Sequence, residues 1–140
     1  MDAFSNYYEN KIINHLLRNE AFSPPSTIYI ALFTGNAAAA LEANNPTTEV
    51  SFSGTAYERK AITLSAASNG TSANASLIEW AVTTAGWGTV TYLALVDHPT
   101  NTNWGTNVNV LMWGALATPK SVLIDEILRI TQGSITVTVT

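Results

Sequence analysis

Two hydrophobic periods divide the chain. Over residues 4–18, Phe4, Tyr8, Ile12 and Leu16 recur every fourth position with Ile13 and Leu17 beside them, while Asn10, Lys11, Asn14 and Arg18 fall largely outside the stripe. That spacing predicts one amphipathic helix of about four turns. Ser5 or Asp2 is placed to cap its start, and Pro24-Pro25 forbids continuation beyond residues 19–23. After Pro25 the period shortens to that of strands, in runs rich in Val, Ile, Thr, Tyr and Trp with Gly, Asn and Pro between them. Strands are expected near 27–33, 57–64, 76–82, 89–96, 108–115, 120–124, 127–131 and 134–139. The predicted fold is mainly β: a single domain over 1–140, with a helical N-terminal segment over 1–20 and a β-sandwich or jelly-roll-like body over 26–140.

The strands are of two kinds. In 134–139, Ile135, Val137 and Val139 alternate with Ser134, Thr136 and Thr138, which describes a strand with one wet face. The runs IYIALF and TYLALV are apolar on both faces, so each is expected under the helix, at the sandwich centre or at a subunit contact. Asn69-Gly70 is a hairpin turn signal, because both residues tolerate positive φ. Two long connections remain, 34–56 and 97–107, and loops of such length are usually functional or disordered. Residues 37–41 offer a short helical turn inside the first.

Composition changes this picture in one respect. Only 11% of the 140 residues are charged, with a net charge of −4, against about 25% in an average soluble domain. Thr (19), Asn (13) and Ser (11) therefore wet the surface, and weak mutual repulsion favours close assembly. The six Lys and Arg form no basic block, so nucleic acid is not an expected partner. Without cysteine there is no disulfide framework and no thiol nucleophile. The start, MDAFSNYYENK, lacks a signal-peptide pattern, and no stretch approaches the about 20 apolar residues of a membrane span. A soluble protein made in a cytoplasm, with no membrane partner, is expected.

Candidate chemistry is sparse. Asp97-His98-Pro99 ends the TYLALV strand, but adjacent strand residues point to opposite faces, so the acid and the base read as a strand exit turned by Pro99. His15 reads as a half-buried structural histidine. No metal-ligand spacing is present, and Gly86-Trp87-Gly88 lacks the Lys-Ser/Thr and helix of a phosphate cradle, leaving a turn with one aromatic plug. Of the tryptophans, Trp80 and Trp113 sit in strand patterns and are expected in the core. Trp104, in an Asn- and Thr-rich loop, is expected to be exposed, as an interface anchor or folded back to close its own loop. No catalytic residue, metal or cofactor is expected.

The order of segments FSNYYENKIINHLL, IYIALFT, GTAYERKAITL, WGTVTYLALVDH, LMWGALATPKSV and GSITVTV resembles a family of small tailed-bacteriophage virion proteins. Its members are often labelled tail fibre proteins, and similar proteins are capsid cement, or decoration, proteins on the outside of the head. The resemblance spans nearly the whole chain and implies a structural virion role, no enzymatic activity and a β-rich homotrimer. Because the chain has neither repeats nor the length for a shaft and a tip, capsid cement on the outer head surface is the preferred expectation, with the major capsid protein and copies of itself as partners. A tail fibre or saccharide receptor-binding module is the alternative. The candidate capsid or subunit interface comprises Phe4, Tyr8, Ile12 and Leu16 on the helical segment, Asn44 and Pro46 in loop 34–56, and Trp104 in loop 97–107.

Overall fold

The computed structural model describes residues 3–139. A five-stranded antiparallel sheet runs in the order β1-β7-β6-β2-β3, from β1 (Ala3–Phe4), β7 (Val110–Val122), β6 (Gly88–Val96), β2 (Ile28–Thr34) and β3 (Lys60–Ile62). Two ribbons complete the β structure: β4 (Thr71–Ala73) with β9 (Thr136–Thr138), and β5 (Ile78–Glu79) with β8 (Arg129–Ile130). The fold is mainly β with one N-terminal helix, as the periods require. Opposite the large sheet, however, ribbons and ordered loops stand where a full second sheet was expected.

The central strands explain this arrangement. In the register Leu32↔Leu93 and Ala31↔Ala94, Ile30, Leu32, Leu93, Leu95 and Met112 share a core with Tyr57, Ile78, Trp80, Trp87 and Ile135. On the opposite face Ala31, Phe33, Ala94, Val96 and Val110 meet Ala37, Leu41 and Val108, with Trp104 and Trp113 packed against them. Leu41 comes from the short helix α2 (Ala38–Glu42), which realises the helical turn read from the alanine run. IYIALF and TYLALV are thus apolar on both faces because this chain covers both. They need no second subunit, and it is α2 and loop 97–107, not the N-terminal helix, that lie over them.

Helix α1 (Asn6–Arg18) is capped by Ser5, whose Oγ accepts from the Tyr8 N–H at 3.3 Å and donates to the Val110 carbonyl. Asp2, the alternative cap, lies outside the described residues. Asn19 in the left-handed conformation ends the helix before the prolines do, and the N–H of the next residue, Glu20, turns back to the Asn14 carbonyl at 3.1 Å. No residue of α1 is buried.

Several expected strands shorten, and two merge. The 108–115 and 120–124 runs form the single strand β7, whose pairing passes from Tyr92↔Ala115 to Val90↔Lys120, so residues 116–119 bulge from the ladder. Pro119 sits in that bulge, where no ladder N–H is required. The Asn69-Gly70 turn has φ of 51° and 74° and is closed by two Ser68–Thr71 backbone hydrogen bonds, as the turn signal predicts.

Candidate interaction surface

Both long loops converge on one buried cation. Arg59, with a fully buried side chain, donates from Nε and Nη2 to the two carboxylate oxygens of Glu49, each at 2.7 Å. Its Nη1 donates to the carbonyls of His98 at 2.7 Å and Asn101 at 3.1 Å. Glu49 also accepts from the Tyr57 hydroxyl at 3.0 Å, and that hydroxyl accepts from the Leu32 N–H at 2.9 Å. One bidentate guanidinium therefore ties loop 34–56 to loop 97–107 and, through Tyr57, to the centre of β2. Burial, reinforced by the Glu49 charge, pushes the Tyr57 hydroxyl well above its ordinary pKa.

Trp104 lies over this cation. The guanidinium carbon is 4.9 Å from its ring centroid, and the Phe33 ring is 6.0 Å away on the other core. The indole is half-buried, so it closes its own loop and is not the freely exposed side chain anticipated. Around it Thr102, Asn103, Thr106 and Asn107 are exposed, forming an uncharged polar rim on a fixed backbone.

Two other candidates change character. Asn44 is buried, with φ of 58°; its Oδ1 accepts from the Val110 N–H at 2.7 Å and its Nδ2 donates to Asn109 Oδ1 at 3.0 Å. Pro46 is buried as well. Neither can meet a partner directly, because the local bonds that hold loop 34–56 onto β7 withdraw them from the surface.

The four helical-segment candidates do not act as one face. Phe4 belongs to β1, opposite Met112, and packs on the core. Tyr8 stacks between Phe4 and Phe22 at 5.7 and 5.8 Å. Ile12 is half-buried. Leu16, together with Ile13 and Leu17, stands in solvent at 71%, 51% and 80% exposure. The helix leaves the sheet where β7 begins, so Ile12 is still half-covered while Ile13, Leu16 and Leu17 stand in water.

The Asp97-His98-Pro99 segment is structural. Asp97 accepts from the Asn109 backbone and side chain at 2.6 and 2.8 Å, and His98 Nδ1 accepts from the Thr100 and Asn101 N–H groups, which caps the turn. His15 is exposed, not half-buried, because α1 projects from the body; its Nδ1 lies 3.0 Å from the Glu20 carbonyl. Trp80 is a core residue as expected, and Trp87 is buried as the plug of its turn; Trp113, expected in the core, is instead half-buried, because its Nε1 is drawn to Glu42 at the edge of that core. An open groove of about 560 Å³ runs between β7 and the β8–β9 segment, and Arg129 is the one ionisable residue in its lining. Among the described residues no three metal-ligating side chains cluster, and no helix is long and apolar enough to cross a membrane.

The residue that sequence reasoning missed is Arg59. Its signal is an arginine within a strand-like run of a chain that has so few charges, where each buried one needs a partner. Compared with known proteins, residues 3–138 match the family model described as Podophage GP4 fiber I protein gp80. No curated protein matches the chain.

Proposed function

The chain belongs to the family of podophage GP4 fiber I protein gp80, structural proteins of the phage virion, and from that premise we propose that it works mechanically, as a homotrimeric docking subunit of the fibre without a catalytic step. The observation that carries this reading is the Arg59 clamp, which orders both long loops before any partner arrives. A surface whose loops are already fixed loses little conformational entropy on docking. Thr102, Asn103, Thr106 and Asn107 form its polar rim, and the Trp104 indole its apolar centre, the division of labour common at protein interfaces.

Capsid cement is the second reading, with the same surface set on the major capsid protein at the outside of the head. It is favoured by a compact body without shaft-forming repeats. Binding the assembled lattice and not its separated parts stabilises the shell by mass action, and each further subunit of an oligomer engages at high effective concentration.

Cryo-electron microscopy of purified virions decides between them. Density for this chain at the fibres, in few copies, is the expected result; hundreds of copies over the head select cement instead. Absence from purified virions overturns both. In the same preparation Thr106→Arg, on the exposed rim, is expected to leave the melting temperature unchanged and reduce incorporation.

A further inference from the structure

The layer opposite the large sheet is incomplete beside β7. Between the sheet and β8 a recess of about 370 Å³ opens onto Leu32, Val90, Leu116, Leu128 and Ile130. It runs on into the open groove of about 560 Å³, with which it shares Leu116, Arg129 and Ile130. Both volumes lie in the range of about 300–1,000 Å³ that holds ligands. Residues 114–118 line the groove in unbroken succession. Successive strand residues point to opposite faces, so the groove follows the backbone edge of β7 and not one of its faces. From Gly114 to Lys120 this trench runs about 20 Å, the reach of about six residues of extended peptide.

Two of the six cations of the chain line this trench and, among the described residues, no acid does, although acids outnumber cations ten to six. Lys120 is the register partner of Val90, a core residue, so its side chain starts from the inner face of the sheet. A lysine stays on such a face only where water or an anion can meet it. Among the described residues no carboxylate pairs with it. Arg129 stands on the opposite wall. Glu79 takes its Nε in an exposed pair, which solvent keeps weak, and the guanidinium fork carries four further N–H donors.

We propose that this trench binds an extended peptide segment of another virion chain, with an aliphatic side chain entering the recess and a neighbouring carboxylate lying between Lys120 and Arg129. Two cations without an acid select an anion, and the apolar floor selects an aliphatic neighbour to it. The occupant is a peptide and not a free fatty acid, because the trench continues past the cations along β7 and is edged there by the hydroxyls of Thr118, Thr131 and Ser134. Hydroxyls can bond the main chain of a peptide but offer an acyl tail nothing. The inference rests on the reading of a docking subunit, but it uses a surface separate from the Trp104 rim.

The test pans a random heptapeptide library on the immobilised full chain. Enrichment of Asp or Glu beside Leu, Ile or Val is expected on the wild type, and enrichment of Lys or Arg in their place on Lys120→Glu, an exposed change expected to keep the wild-type melting temperature. By fluorescence anisotropy, a labelled peptide of the wild-type consensus is expected to bind about tenfold more weakly to Lys120→Glu and to Arg129→Gln, and equally well to Thr106→Arg. Selection without acidic residues, or the same consensus on Lys120→Glu, overturns the proposal. Binding lost in Thr106→Arg but kept in Lys120→Glu moves the peptide to the Trp104 rim, which overturns this site and leaves the docking reading standing. Saturable binding of sodium decanoate with no peptide enriched assigns the trench to a free amphiphile and overturns the peptide. If Lys120→Glu fails to fold, Lys120→Gln replaces it, with loss of the acidic preference as the expected result.

Discussion

Arg59→Met removes the cation and leaves a side chain of similar length in its place. Glu49, whose side chain is 9% exposed, then keeps a single side-chain donor, the Tyr57 hydroxyl, and the carbonyls of His98 and Asn101 lose theirs. Breaking a buried ion pair from one side costs about 3–5 kcal/mol, because the remaining charge is desolvated without compensation. The carbonyls add less than the sum of two lost hydrogen bonds, since a released loop lets water reach them. The net expectation is about 3–5 kcal/mol, a large share of the roughly 5–15 kcal/mol that holds a domain folded. At this chain length that corresponds to a fall of roughly 10–20 °C in melting temperature. Urea unfolding followed by circular dichroism measures it, and limited proteolysis is expected to cut first within 97–107. Replacing both partners, Glu49→Leu with Arg59→Met, is expected to cost much less than the two single changes added, because neither charge is then stranded. A single variant within about 1 kcal/mol of wild type, the range of an exposed pair, or a double variant that costs the full sum, refutes the clamp.

Stability at high pH is expected to depend on Tyr57. Its hydroxyl is held well above 10.0 by burial and by Glu49; below that pH both folded and unfolded chains keep the proton, and above it the unfolded chain releases it first, so stability declines as pH rises from about 10. Tyr57→Phe is expected to melt lower at neutral pH yet show a shallower decline between about pH 9 and 11; an unchanged slope refutes the assignment, with Tyr7 and Tyr8, also raised by burial, supplying what slope remains. Asn44→Ala strands the Val110 N–H and forces a Cβ-bearing residue without a compensating side-chain bond to φ of 58°, an expected cost of about 2–4 kcal/mol by thermal unfolding. Asn44→Gly relieves the backbone part alone and is expected to fall between the two.

What the sequence by itself determined here is local. Periods of four and two are written in consecutive residues, so the helix over 4–18, the strands around IYIALF and TYLALV, the alanine turn and the Asn69-Gly70 hairpin were all legible from side-chain spacing and φ tolerance. The boundary at Asn19 was not, because a left-handed cap needs no distinctive neighbour. Nor was the union of 108–115 with 120–124, since Pro119 reads as a break unless a bulge is known to receive it. Tertiary structure alone decided what covers each face. An apolar strand shows that its faces must be dry but does not name the cover, and here α2 and the Trp104 loop supply it in place of α1 or a second subunit. The same holds for exposure: Asn44 and Trp104 look alike in a polar loop, and both are drawn inward by partners distant in sequence, Val110 and Arg59. Leu16 and Leu17, which belong by period to a buried stripe, are left in water because α1 is anchored at its start, through Ser5, and no other element of the described chain covers its end. Pattern prescribes which groups must leave water, and only the three-dimensional path of the chain decides which of them it can cover itself.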